Sequence, residues 1–161
     1  KTFVTRFAAG FEKVFLGMPY DWDRSPAALI TPNPFIGLAS RDGKPWPALH
    51  AFSMLVDRLD GFVGADEQPA PSRVKLYRFT FPKGRDDVWV AWLREAEPYG
   101  LDDALPSMTV RLDEIPTPAV AHTIPTATKD PPERRFTANS TVELKLGPTP
   151  VLFTAAGGSK P

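Results

Sequence analysis

Between Val74 and Arg94 the chain changes from irregular spacing to a strict period of two, and this block limits the possible folds more than any other. Lys75, Tyr77, Phe79 and Phe81 alternate with Val74, Leu76, Arg78 and Thr80. Alternation places the two sets on opposite faces of an extended strand. Pro82-Lys83-Gly84-Arg85-Asp86 then supplies turn chemistry, and Asp87 to Arg94 returns with Val88, Val90 and Trp92 on one face and Trp89, Ala91 and Leu93 on the other. A strand apolar on both faces needs cover on both, so the returning strand is expected at the centre of a sheet.

The rest of the C-terminal half repeats this grammar. Short strands are expected at Met108 to Leu112, Ala119 to Ile124, Arg134 to Ala138, Thr141 to Leu146 and Val151 to Thr154, separated by proline-rich connections. The spacing predicts an antiparallel β-sandwich over residues 72–155, with no helix between Pro116 and Pro132 and a flexible tail at 156–161.

Ahead of the sandwich the period is helical. Phe3, Val4, Phe7, Ala8 and Phe11 share one face, and Val14 to Leu16 reads as a short buried strand. After a loop broken by Pro26, Pro32 and Pro34, Pro45 and Pro47 announce a second helix with the stripe Leu49, Phe52, Leu55, Val56 and Leu59, stopped by Gly61. Residues 1–61 thus form a helix-strand-helix segment.

Composition removes several function classes. With 19 basic residues against 19 acidic ones, there is no electrostatic reason to seek nucleic acid. No apolar run approaches the roughly 20 residues needed to cross a bilayer, and Lys1 to Gly10 lack a signal peptide's continuous apolar stretch, so no membrane partner is expected. The absence of cysteine removes disulfides, thiolate metal sites and cysteine nucleophiles. His50 and His122 are the only histidines and lie far apart, so neither a metal site nor a cofactor is expected. There is no G-x-S-x-G serine elbow. Asn139-Ser140-Thr141 matches a glycosylation sequon. Lys1 in place of Met leads to the expectation that further residues precede it.

The order of these pieces resembles the C-terminal end of a (β/α)8-barrel glycoside hydrolase carrying a small β-sandwich. "GLASRDGKPWPALHAFSMLVDRLDG" is similar to the recurring end of such barrels, where a loop with Gly37-Leu38 and Asp42-Gly43 leads through Lys44-Pro45 into the last helix. "LYRFTFPKGRDDVWVAWL" resembles the first sandwich hairpin, "MTVRLDEIPTP" the next strand and turn, and "LKLGPTPVLFTA" the closing strand. The resemblance implies that Val14 to Met18 is the eighth barrel strand and that Tyr20, Asp21 and Trp22 stand at its C-terminal end, where barrel active sites are built. It implies a carbohydrate ligand and a secreted or periplasmic setting. The two catalytic carboxylates would lie on earlier strands that this sequence lacks, so no catalytic residue is expected here.

Trp22 is the residue best suited to contact sugar, since an indole face stacks on the C–H face of a pyranose; its alternative is packing at the helix-strand junction. Asp21 is the better of the two acceptors Asp21 and Asp23, both of which also suit a turn. Trp89 and Trp92 point to opposite faces and are assigned to core packing, and Trp46 to a structural role. Three functions compete. The first is a non-catalytic accessory part that packs on and stabilises a sugar-cleaving barrel. The second is a free-standing carbohydrate-binding module, which would need a coplanar aromatic pair. The third is a hydrolase drawing carboxylates from Asp21, Asp23, Asp42, Asp60 or Glu143. On the first reading the apolar faces of residues 1–61 are orphaned, so the chain is expected either to self-associate through them or to meet the missing barrel portion.

Overall fold

A computed structural model of the protein describes residues 1–14, 38–40, 42–94, 104–124 and 133–156. The described elements are helices α1 (Thr2–Ala8) and α2 (Pro47–Leu59) and strands β1 (Gly64–Glu67), β2 (Val74–Thr80), β3 (Val88–Leu93), β4 (Met108–Leu112), β5 (Ala119–Thr123), β6 (Glu133–Phe136), β7 (Val142–Leu146) and β8 (Val151–Ala155). Six strands form one sheet in the order β1-β2-β3-β8-β5-β6, and β4 pairs with β7 in a second sheet. Every pairing is antiparallel. The protein is mainly β and sandwich-like.

Side-chain parity sorts the large sheet's two faces. Val74, Leu76, Trp89, Ala91 and Phe153 point toward the small sheet and pack with Val110, Leu112, Val142, Leu144 and Leu146. Tyr77, Phe79, Val88, Val90, Trp92 and Leu152 point the other way and pack with Val4, Met54 and Leu59 of the helices. The layers are therefore small sheet, large sheet, helices. β3 is buried at every position, as a central strand with both faces covered must be, while β7 alternates buried and exposed because only one face of the small sheet is covered.

The β2–β3 hairpin also ties the sheet to the helix layer. Gly84 takes the positive φ of 102° that the turn requires. Asp87 accepts the Phe81 N–H at 3.3 Å and Arg78 Nε at 2.7 Å. At the tip, Arg85 reaches the end of α2, where the last carbonyls have no helical partner. It donates to Arg58 O at 2.8 Å and to Asp60 O, with its guanidinium 3.9 Å from the Phe81 ring centroid. A cation here also complements the helix dipole. Arg85→Ala should therefore lower the unfolding free energy by about 1–3 kcal/mol in urea titrations. Arg85→Lys should recover under half of that, since an ammonium lacks the planar fork that spans two carbonyls. A loss below about 0.5 kcal/mol would show the latch to be inert.

Several sequence expectations change. The first strand is β1, within Gly64–Glu67 and outside the range 72–155, in a segment whose Gly, Asp and Glu disfavour strands. It exists because β2 offers an edge, with Gly64 opposite Thr80 and Glu67 opposite Tyr77. Its Glu67 accepts Lys75 Nζ at 2.5 Å and the Tyr77 hydroxyl at 3.1 Å. Helix α1 ends at Ala8, so Phe11 lies beyond it. In α2 the buried residues are Met54 and Leu59, whereas Phe52, Leu55 and Val56 of the expected stripe are not buried. The helix touches neighbours on two sides, and a single-stripe reading finds only one. The two sheets are unequal, six strands against two. Of the expected strand Val14 to Leu16, Val14 is in no strand and the rest lies outside the described residues, so no barrel strand is identified.

Candidate functional site

Where the two helices meet the β1 edge of the large sheet, an apolar groove stays open to solvent. Phe3 and Phe7 of α1 and Phe52, Leu55 and Val56 of α2 line a groove of about 790 Å³ together with Phe62, Val63 and the backbone of β1. Its aromatic rings form a continuous chain. Phe52 meets Phe3 at 5.4 Å between centroids, Phe3 meets Phe7 at 6.5 Å, Phe7 meets Phe62 at 5.1 Å, and Phe62 stands edge-on to Phe79 at 5.2 Å. These separations are the favoured aromatic contact distances, so the groove's wall is rigidly coupled to the sheet's core. Its outer lip is apolar and open to solvent: Phe11 is 51% exposed, Val56 46% and Val63 69%. Glu12, Asp60 and Asp66 lie on the lining.

The sequence-derived sugar contacts Tyr20, Asp21 and Trp22, and Asp23 beside them, lie outside the described residues. The loop expected to lead into the last helix is described in part, and it is organised by Ser40. Ser40 bonds its backbone N–H to Lys44 O at 2.8 Å, accepts the Lys44 N–H on Oγ at 3.0 Å and donates Oγ to the Asp42 carboxylate. That hydrogen bond, with the adjacent backbone N–H groups and Lys44, holds the Asp42 carboxyl below its ordinary range. Asp42 is thus a turn residue at the entrance to α2. Asp60 caps the helix's other end, about 20 Å away for a helix of 13 residues. Glu143 lies on β7, beyond the large sheet. These three carboxylates do not share a cleft. Trp46 precedes α2 and is partly exposed, while Trp89 and Trp92 are buried on opposite faces of β3, so no coplanar aromatic pair exists among the described tryptophans.

Sequence reasoning missed a polar cluster gathered around one buried histidine. It weighed His122 only as a metal ligand. His122 is 3% exposed on β5, with Nε2 2.9 Å from Thr154 Oγ1 on β8. Nδ1 lies 3.2 Å from Glu133 Oε1, at ion-pair distance but without hydrogen-bond alignment. Burial chiefly, and the charges of Arg58 and Arg135, push the imidazole pKa down against the opposing pull of Glu133. The alternation of Ala119, Ala121 and Thr123 with Val120 and His122 was the available signal: it places His122 on the face that α2 covers. Among the described residues no group of three or more His, Asp or Glu side chains is arranged to hold a metal ion.

Comparison with protein-family models, characterised proteins and solved structures finds no match.

Proposed function

We propose that the chain is the C-terminal, non-catalytic part of a glycoside hydrolase, and that its sandwich packs on and stabilises a (β/α)8 barrel carrying the sugar-cleaving residues. The observation that supports this most is the apolar groove across α1, α2 and β1. A helix pair packed on a sheet that still leaves an aromatic groove open at its edge is suited to a further apolar partner. On the barrel reading α1 and α2 are the barrel's last helices, and their groove side rests on its strands. Each large apolar side chain covered there contributes roughly 1.5–3 kcal/mol. The aromatic chain from Phe52 to Phe79 then transmits the sandwich's rigidity to the barrel wall. Acid/base and nucleophile belong to the barrel portion, and Tyr20, Asp21 and Trp22 to the rim of its cleft.

The test compares the 161-residue chain with the product of its coding sequence extended upstream. The short chain should self-associate in light scattering, give monomer when Phe11→Asp and Val63→Asp are combined, and show no turnover of aryl glycosides. The extended chain should be monomeric and active. A monodisperse 17.7 kDa short chain, or aryl glycoside turnover abolished by replacing one of its own carboxylates, would overturn the reading.

A further inference from the structure

β1 ends the large sheet and pairs only with β2. In an antiparallel ladder alternate residues turn both N–H and C=O toward a given neighbour. Arg94 donates its N–H to Arg73 O at 2.6 Å, which assigns Lys75, Tyr77 and Phe79 to β3 and leaves Leu76, Arg78 and Thr80 for β1. Gln68 donates to Leu76 O at 2.8 Å in agreement, so Gly64 and Asp66 face β2 while Ala65 and Glu67 point their backbone groups outward. Among the described residues neither makes a backbone hydrogen bond on that side. We propose that the phenylalanine groove and this open edge together bind an extended segment of a partner polypeptide, apolar at alternate positions and carrying lysine or arginine, which adds to the large sheet as a further strand beyond β1.

The edge and the groove are continuous. Gly64, Ala65 and Asp66 line the groove together with Phe3, Phe7 and Phe62, and Ala65 packs against the same core as Phe79. Side chains of a strand laid along β1 alternate between the sheet's faces, so every second one falls on the side of the phenylalanines. Backbone hydrogen bonds to Ala65 and Glu67 then supply affinity, and the alternate apolar side chains in the groove supply specificity. A docked helix has no such backbone groups to offer, because its own are bonded internally.

Charge selects the partner. The described lining holds Glu12, Asp60 and Asp66 and no lysine or arginine, so a basic segment is attracted and an acidic one repelled. Two copies of β1 laid edge to edge would set Asp66 and Glu67 of each against those of the other, so self-association through Phe11 and Val63 does not satisfy this edge. The sheet's other edge, β6, carries the exposed Arg134 and Arg135, like charges of the kind that keep an edge unpaired. The inference rests on the reading of the groove as a docking face, and adds the backbone form and the charge of what docks there.

Titration of the 161-residue chain with the synthetic peptide Lys-Val-Thr-Val-Thr-Val-Lys, followed by ¹H–¹⁵N NMR, tests the site. The peptide should shift the Ala65 and Glu67 amides saturably and slow their hydrogen exchange. The same peptide ended by glutamates should bind at least about tenfold more weakly, and one N-methylated at its central Val and the next Thr, which removes a donor from each of its edges, should not bind. Ala65→Pro deletes an outward N–H without touching the β2 ladder, so it should weaken binding at least about fivefold at an unchanged urea midpoint. The absence of a saturable shift, equal binding of the glutamate-ended or N-methylated peptide, or undiminished binding to a folded Ala65→Pro chain overturns the proposal. A chain that self-associates yet ignores the peptide refutes strand addition alone, and a monodisperse monomer that binds it refutes the barrel reading alone.

Discussion

Phe79→Ala is expected to lower the free energy of unfolding by about 3–5 kcal/mol, the cost of removing a buried phenylalanine and leaving a cavity. Phe79 is fully buried, lies opposite Ala65 on one side and Val88 on the other, and receives the edge of Phe62 from the helix layer. Little can collapse into the space, because its neighbours are fixed by backbone ladders on both sides. Domains of this size are stable by only about 5–15 kcal/mol, so the loss is a large share of the total. Phe153→Ala provides the comparison: this ring is equally buried but faces the small sheet. Its cost in urea unfolding should be similar. Only Phe79→Ala should also weaken groove-dependent self-association, because only Phe79 anchors the aromatic chain that ends at Phe52. Equal effects of the two variants on association, or a loss below about 1 kcal/mol for Phe79→Ala, would show that the two layers are not coupled through this residue.

Acid should destabilise the protein through His122. Its pKa is lowered in the fold, whereas in the unfolded chain it returns to about its ordinary 6.5. Above that pH both states hold neutral imidazole and the group contributes nothing. As pH falls below 6.5 the unfolded state takes up a proton that the folded state refuses, so stability declines until the lowered folded pKa is reached and then levels off. One proton sets a ceiling of about 1.4 kcal/mol per pH unit on the slope. The physical cause is mainly burial between the sheet and α2, reinforced by Arg58 and Arg135 and opposed by Glu133. His122→Gln keeps a polar atom within reach of Thr154 and does not titrate. The difference between the wild-type and His122→Gln stability profiles should therefore grow from near pH 6.5 downward, the carboxylates cancelling. Parallel profiles from pH 7 to 4.5 would mean that His122 is not held neutral.

Where the alternation was strong, the strands were legible. The spans expected for β4, β7 and β8 match to within a residue or so, because Val142, Leu144 and Leu146 alternate cleanly with Glu143 and Lys145. β3 was recognised as central from its two apolar faces. β1 was not, since Gly64–Glu67 has no apolar pattern and becomes a strand only by completing the hydrogen bonds of β2. The groove was legible in part: Phe3, Phe7, Phe52, Leu55 and Val56 were marked as apolar helix surface. That this surface stays open as a groove beside the β1 edge, and that Phe62 joins it to Phe79, depends on how the helices land.

By itself the sequence determined the local periodicities and their punctuation: two helices opened or closed by proline and glycine, and a succession of short antiparallel strands with β3 buried. These follow from interactions between near neighbours along the chain, where side-chain spacing and fixed φ angles act directly. Only the tertiary structure decided that six strands join one sheet and two the other, and that α2 covers one face of the large sheet. It alone brought Arg85 to the end of α2, buried His122 and left the phenylalanine groove uncovered. Those outcomes depend on contacts between residues distant in sequence. Their energy comes from closing apolar faces on one another, and the hydrophobic effect has no direction along the chain to read in advance.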